Sequence, residues 1–394
     1  MAQTMNKFDK LINELCPDGV EFKELGEVTA WDKRFNGVEK NKQSKILSFN
    51  HISSKNLKEL EAKKGNIKLL ATGKFDGWTT EELAGTNLNE GEVISIPSGG
   101  SASIKYYNGK FVDSGNILAS SFNDEILNLK YCYYFLLIKN ELIESYFRGA
   151  GVKHPNMSEI LKIKIPLPPL PIQEQIVKTL DNFAELEAEL EAELEARKEQ
   201  YRYYRDELLT FGGDVKFKEF GEVCDIADNK RKPVKSNLRV PGKIPYYGAN
   251  NVQDYVDGFT HDGDYVLIAE DGSASLENYS IQYAIGKFWA NNHVHVIKGT
   301  NELNNRFLFH YLRSMNFIPF LSGGTRAKLT KAKMLVIKIP LPSPPEQERI
   351  VKILDKFDAL VNDISIGLPA ELEARKKQYE YYREKLLTFK EVKA

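Results

Sequence analysis

Cysteine is scarce in this sequence: 3 of 394 residues, at positions 16, 132 and 224, too few and too scattered for a disulfide framework or a structural zinc set. Long apolar runs are absent too. No stretch of 18 apolar residues occurs, and the opening MAQTMNKFDKLINELCPDG lacks an apolar signal core, so neither secretion nor membrane spanning is expected. A reducing, cytoplasmic setting is the expectation. The marks of an enzyme are missing as well. No glycine-rich loop ends in GK[ST], and YNGKF lacks both the upstream glycine and the hydroxyl residue. No Asn/Asp-Pro-Pro-aromatic element of an amino-methyltransferase is present. PDGVEFK looks superficially like a nuclease cluster, but Asp18 and Glu21 stand only three apart, and the partial repeat GDVKFK puts Lys216 in the place of Glu21. His293 and His295 share a face of a predicted strand without a third ligand nearby, which favours packing over metal binding. No catalytic residue, no metal and no cofactor is therefore expected in this chain.

What is present is a duplication. IKIPLP occurs at 163–168 and again at 337–342, and 192–211 (AELEARKEQYRYYRDELLTF) matches 370–389 (AELEARKKQYEYYREKLLTF) at 16 of 20 positions. A weaker pair, VEFKELGEV and VKFKEFGEV, begins at 20 and 215. Between the first and second landmarks the first copy is 21 residues longer. Near-identical helix ends joined to dissimilar heads imply one shared job for the helices and two versions of another job for the heads.

Each IKIPLP runs into a proline-rich turn, PPLPIQEQ or PSPPEQER, which stops a strand and starts a helix. Apolar residues then recur at spacings of three and four: Ile176, Leu180, Phe183, Leu186, Leu190 and Leu194, then Tyr201, Tyr204 and Leu208. The second copy repeats the pattern from Ile350 to Phe389, with Gly367 and Pro369 expected to kink or interrupt it. The heads read as mixed α/β, with strands such as GEVISIP, DYVLIAED and NNHVHVI and helices near 126–147 and 303–321. The expected fold class is α+β. Two globular mixed α/β heads are separated and joined by two long antiparallel, coiled-coil-like helices in a pseudo-twofold internal repeat. The expected boundaries are 1–170 and 212–344 for the heads, and 171–211 and 345–390 (kink near 367–369) for the helices.

A net charge of −1 looks wrong for a nucleic-acid binder until it is partitioned. Residues 173–211 hold 5 Lys+Arg against 11 Asp+Glu, whereas 212–345 hold 17 against 13. The richest segment is DNKRKPVKSNLR, with Lys230, Arg231, Lys232, Lys235 and Arg239, followed by Tyr246, Tyr247, Asn250 and Asn251, whose rings and amides suit bases and sugars. A second group, Arg326, Lys328, Lys331 and Lys333, follows a Gly-Gly turn. Its counterpart in the first head is Lys153 with His154. The first head adds Lys55, Lys58, Lys63 and Lys64, and, after a GSAS shared by both heads (100–103 and 272–275), Lys105, Tyr106 and Tyr107. These are the candidate DNA-binding residues; GSAS itself reads equally as a phosphate-holding loop or a plain tight turn. The tyrosines of YRYYR and YEYYR sit at seam spacing, so packing is expected of them.

PLPPLPIQEQIVKTLDNF and PLPSPPEQERIVKILDKFDAL, each followed by ARK-x-QY-x-YYR-x-x-LLTF, resemble the repeated conserved regions of specificity subunits of type I restriction-modification enzymes. The likeness covers nearly the whole chain, and LCPDGVEFKELGEV resembles the N-terminal segment of one branch of that family. The resemblance implies that each head is a target recognition domain for one half of a split double-stranded DNA site. It implies that the helices form a spacer carrying two methyltransferase (modification) subunits, to which restriction/translocase subunits attach. It also implies a non-catalytic chain, with S-adenosylmethionine, ATP and magnesium belonging to those partners. The alternatives are a stand-alone duplicated DNA-binding regulator and, with less support, a compact nuclease.

The first helix departs from the second in one respect: AELE occurs three times at 184–195. Ala, Glu and Leu are strong helix formers, and one unit adds roughly 6 Å and about 40° beyond a full turn. DNA advances about 3.4 Å per base pair and turns in roughly 10 base pairs. Deleting residues 188–191 is therefore expected to change the gap between half-sites by about one or two base pairs and leave the half-sites intact, read by sequencing methylated sites. An unchanged gap would make the helix a passive scaffold.

Overall fold

The computed structural model describes residues 2–323, 327–363 and 365–392. The chain forms two compact units, one of 1–188 with 373–394 and one of 189–372. These do not follow the head-then-helix order of the sequence. The long helix Leu170–Leu208 begins in the first unit and ends in the second, the change falling inside the AELE repeat.

The first unit centres on a six-stranded sheet in the order Thr29–Trp31, Ile117–Ser121, Asn89–Ile96, Lys105–Asp113, Ile67–Leu70, Asp76–Thr79, antiparallel except that Ile67–Leu70 runs parallel to Lys105–Asp113. The side-chain period of two splits its apolar residues between two cores. Val93, Phe111 and Leu118 join Leu70 on one face, while Ile94, Ile96, Ile117 and Ala119 face the helices. The VEFKE segment contributes Glu21–Glu24, which pairs antiparallel with Lys164–Leu167 from IKIPLP. The last segment of the chain closes the same unit: the Val20 amide donates to the Lys390 carbonyl (2.9 Å) and the Val392 amide to the Val20 carbonyl (3.0 Å).

The second unit repeats the plan with a difference. Its strands form two four-stranded sheets, Cys224–Ile226, Val294–Gly299, Tyr265–Ala269, Ile281–Ala284 and Asn251–Val256, Pro241–Gly248, Lys287–Ala290, His261–Asp262. The nine-residue strand Lys105–Asp113 of the first head has become two short ones, parted at Ile285 and at Gly286, whose φ of +74° takes it out of the strand conformation. Lys216–Glu219 pairs with Lys338–Leu341 in the register of the first copy.

Each helix is fastened to its head by the same buried device. Gln173 accepts from the Asn128 amide (2.9 Å) and donates to the carbonyls of Ile126 and Pro168, both at 2.8 Å. Gln347 accepts from the Asn304 amide (2.8 Å) and donates to the carbonyls of Glu302 and Pro342. Asn128 and Asn304 are the N-caps of the head helices Leu129–Ile138 and Asn305–Ser314, so each glutamine ties two helix starts together. Two turns on, Asp181 takes Lys130 and Tyr134 of the first head helix, and Asp355 takes Arg306 and His310 of the second.

Tyr201, Tyr204, Tyr379 and Tyr382 of the tyrosine clusters pack as their spacing requires, while Tyr203 and Tyr381 stay exposed. In the first unit Phe183 stacks on Tyr382 (5.4 Å) and lies near Tyr379; in the second, Tyr201 and Tyr204 close on Phe357. With Lys376 paired to Glu187, the partners in the first unit run in opposite directions along the sequence, so its helical segments are antiparallel. One feature differs from the sequence reading. Leu186 is exposed, because leucines four apart drift about 40° per step from a seam, leaving only Leu190 and Leu194 near it. The second copy is two helices, Pro344–Asn362 and Leu368–Leu386, with Pro369 in the first turn of the latter, where its missing donor costs nothing.

Replacing Gln173 or Gln347 with leucine leaves a buried amide and two carbonyls without partners. Each substitution is expected to cost about 2–4 kcal/mol in chemical denaturation. A loss under about 0.5 kcal/mol would show that the glutamines do not hold helix to head.

Candidate nucleic-acid interface

In the first head Lys55 and Lys58 project from the short helix Ser54–Glu59, capped by Ser53, and Lys63 and Lys64 follow in the next loop, all four exposed. Lys58 lies 5.9 Å from the Phe75 ring, which anchors this basic group beside the 71–75 turn between Ile67–Leu70 and Asp76–Thr79. Lys153 and His154, at the start of the short strand His154–Pro155, are exposed beside the GSAS loop: the Gly100 amide donates to the Lys153 carbonyl (2.8 Å), and His154 Nδ1 meets the Ser98 carbonyl (2.6 Å).

The other three candidates of this head are engaged inside it. Lys105 Nζ donates to the carbonyls of Ala71 and Gly73, both at 2.7 Å, and burial pushes its ammonium below the ordinary lysine range. The Tyr106 hydroxyl donates to Glu92 (2.6 Å) while its ring packs on Tyr133, and burial followed by the Glu92 bond raises its pKa. Tyr107 sits edge-on to Trp78 and Phe111. Alternate residues of one strand face opposite sides of the sheet, so the pair YY could not have presented both rings to one ligand.

In the second head Lys230, Lys232 and Lys235 are exposed, whereas Arg231 turns inward. Its Nη1 donates to Glu270 Oε2 and to the Val294 carbonyl, both at 2.7 Å, and Nη2 lies 3.4 Å from Asp228. Asp228 also accepts from the Val296 amide and meets His295 Nδ1 at 2.7 Å, and Lys328 pairs with Glu270 at 2.8 Å. Burial alone would raise both carboxyls. Instead His295 and the Val296 amide hold Asp228 below its ordinary value, and Lys328 and Arg231 do the same for Glu270. Asp228, Glu270 and His295 bring ligand-type atoms within 4.8 Å of one another, but two cationic side chains already supply the positive charge a metal would bring. Arg231 and Lys328 were grouped with free cations from sequence; the acid three residues before Arg231 was the signal for the inward turn. His293 bonds Asp271 separately from this cluster.

Arg239 lies over the Tyr246 ring at 4.0 Å and donates to the Val234 carbonyl, and Tyr246 is only 1% exposed, its hydroxyl receiving the Val234 amide. Tyr246 thus braces the basic loop and is closed to bases. Tyr247 is half-buried against Phe288. Asn250 and Asn251 stand exposed at the tip of the hairpin formed by Pro241–Gly248 and Asn251–Val256. Lys331 and Lys333 are exposed on the short helix Lys331–Leu335, and Arg326 lies outside the described residues. The GSAS of this head is a turn satisfied from within. Ser273 Oγ accepts the Ser280 amide and donates to the Ser275 carbonyl, Ser275 Oγ accepts the Asn278 amide, and the Ala274 amide goes to Asn250.

The family profile described as type I restriction modification DNA specificity domain matches residues 17–196 and again 212–374. A Haemophilus influenzae protein named as a type I restriction enzyme specificity subunit is 63% identical over 190 residues, which is 47% of this chain and 49% of that protein. The chain thus spans about half of that relative's length. The Escherichia coli EcoR124I/EcoR124II specificity subunit is 33% identical over 302 residues, 69% of this chain and 74% of that one. The crystal structure of the S subunit of a type I restriction-modification system from M. genitalium superposes with a TM-score of 0.66 at 19% identity, covering 94% of this chain and 96% of that one.

Arg231→Ala removes the cation shared by Asp228 and Glu270 and the donor to the Val294 carbonyl, while His295 and Lys328 stay in place, and is expected to cost about 1–3 kcal/mol at neutral pH, whereas Lys230→Ala and Lys232→Ala cost little. Both carboxyls titrate lower in the folded head than in the unfolded chain. The stability they contribute is therefore complete above the ordinary carboxylate range and is lost as pH falls through their folded values. The Arg231→Ala penalty should accordingly shrink on acidification. Denaturation of both proteins at pH 7 and near pH 3 checks this, and an equal penalty at both would overturn it.

Proposed function

The chain belongs to the type I restriction modification DNA specificity domain family, with two matched regions in tandem, and on that premise we propose that it is the non-catalytic specificity subunit of a restriction-modification complex. Each head binds one half of a bipartite double-stranded DNA site, and the helices set the gap between the halves. Lys55, Lys58, Lys63 and Lys64 in the first head, and Lys230, Lys232 and Lys235 in the second, make the salt-dependent contacts to phosphates. S-adenosylmethionine, ATP and magnesium belong to the partner subunits, and the complex works in the cytoplasm. Among the described residues no helix is long and apolar enough to cross a membrane.

The observation that carries this reading is a pair of exposed tyrosines. Tyr203 is 66% exposed and Tyr381, at the matching place in the second copy, is 59% exposed, although the neighbours Tyr201 and Tyr379 are drawn into their cores. In the first copy Ala196 and Tyr203, seven residues apart, share one exposed helix face, and Ala374 and Tyr381 repeat it. A surface kept twice while the heads diverged suits two copies of one partner, here the methyltransferase subunit. Aromatic side chains of this kind are frequent anchors of interfaces.

Mixing the purified chain with its methyltransferase partner is expected to give adenine methylation at a bipartite site, and neither component alone should give it. Tyr203→Ala with Tyr381→Ala is expected to weaken capture of that partner at least tenfold while the chain's own salt-dependent DNA binding persists. Methyl transfer by the chain alone would contradict the reading. Tight site-specific binding with no capture of a methyltransferase would turn it toward a stand-alone regulator.

A further inference from the structure

The two heads can be aligned through their sheets. Thr29 pairs with Ser121 and its counterpart Cys224 with Gly299; Ile94 pairs with Ala119 and Val266 with Ile297; Ser95 pairs with Lys105 and Leu267 with Gln282. Lys105 and Gln282 therefore occupy one position in two unlike heads, and they do the same thing. Lys105 donates to the carbonyls of Ala71 and Gly73; Gln282 Nε2 donates to those of Gly248 (3.3 Å) and Ala249 (3.1 Å). Each thereby fixes the tip of a hairpin whose first strand runs parallel to its neighbour, Ile67–Leu70 on Lys105–Asp113 and Pro241–Gly248 on Lys287–Ala290.

The fixed tips carry different side chains. In the first head the exposed residues of the turn are Gly73 and Lys74, and Lys74 has no polar partner among the described residues. In the second, Asn250 is consumed as a brace, donating to the Gly272 carbonyl and accepting the Ala274 amide, both at 2.7 Å. Asn251 beside it is exposed, its side-chain amide has no hydrogen-bond partner among the described residues, and it is the one described non-glycine residue with positive φ, +146°. Backbone held there against its preference marks a position whose geometry the surroundings over-determine.

We propose that these two hairpin tips are the base-reading elements of the heads, with Lys74 and Asn251 the specificity-determining side chains and Lys105 and Gln282 the positioning residues. The inference rests on the DNA-binding function proposed above. An ammonium, donor only, fits the paired acceptors on the major-groove edge of guanine, and a carboxamide fits the acceptor and donor of adenine. In the first head the exposed Lys58, held at Phe75 of the same turn, supplies the neighbouring phosphate contact.

The test is the set of methylated sites left by the complex of the full chain with its methyltransferase partner. With the wild-type motif as reference, Asn251→Ala and Asn251→Gly are each expected to relax one base pair of one half-site at least tenfold and spare the other half, and Lys74→Ala to do so in the opposite half. The glycine variant removes the amide without backbone strain, so its effect is not one of folding. Gln282→Leu should blur the same half-site as Asn251→Ala, and Gln282→Lys, which copies the first head, should restore it. Unchanged motifs in the Asn251 and Lys74 variants, or an equal loss at all sequences, would overturn the assignment. A wild-type complex leaving no bipartite motif would remove the proposed function and this inference together.

Discussion

A buried carboxamide near the start of each helix, Gln173 in one unit and Gln347 in the other, joins three backbone segments. It satisfies the N-cap amide of the head helix, a carbonyl of the preceding loop and a carbonyl of the proline turn, and an unmet buried polar group is expensive. A side chain with one acceptor and two donors does this; an acid or an aliphatic residue of the same size would not. Everything outward of it, the aspartate grip on the head helix and the seating of each Phe on the tyrosines of the other copy, inherits the angle at which the helix leaves the head.

With that joint constant, the heads were free to change. Residues facing the joint recur in both copies, while the sheets beyond it have diverged to the point that one strand became two at Gly286. The sheet register nevertheless survives, and it keeps a donor side chain under each hairpin tip even though that donor is an ammonium in one head and an amide in the other. Conserved geometry with exchanged chemistry suits a molecule whose copies must present different surfaces at the same place.

Charge follows the same logic. A basic segment does two kinds of work in the second head: Arg231, Arg239 and Lys328 stabilise the fold through carboxylates, carbonyls and a ring, and Lys230, Lys232 and Lys235 remain in solvent. The structural cations are those whose neighbours include acids from distant strands, which makes them costly to remove and of little use to a ligand. The exposed ones carry the electrostatic reach toward a polyanion.

By itself the sequence determined the duplication, the helices and their facing tyrosines, because repeats and a 3.6-residue period are local properties written in the order of the residues. The two exposed asparagines after Tyr247 were also legible, since hairpin tips have a local composition. Only the tertiary structure decided that Arg231 and Lys328 turn inward, that Tyr246 is a brace and that Lys105 supports a turn over thirty residues away, because each depends on partners brought together across the sheet. It alone decided that the repeated chain folds into units that each take one half of the long helix, since the partner of a helix face is set by packing against distant segments and leaves no mark in the period.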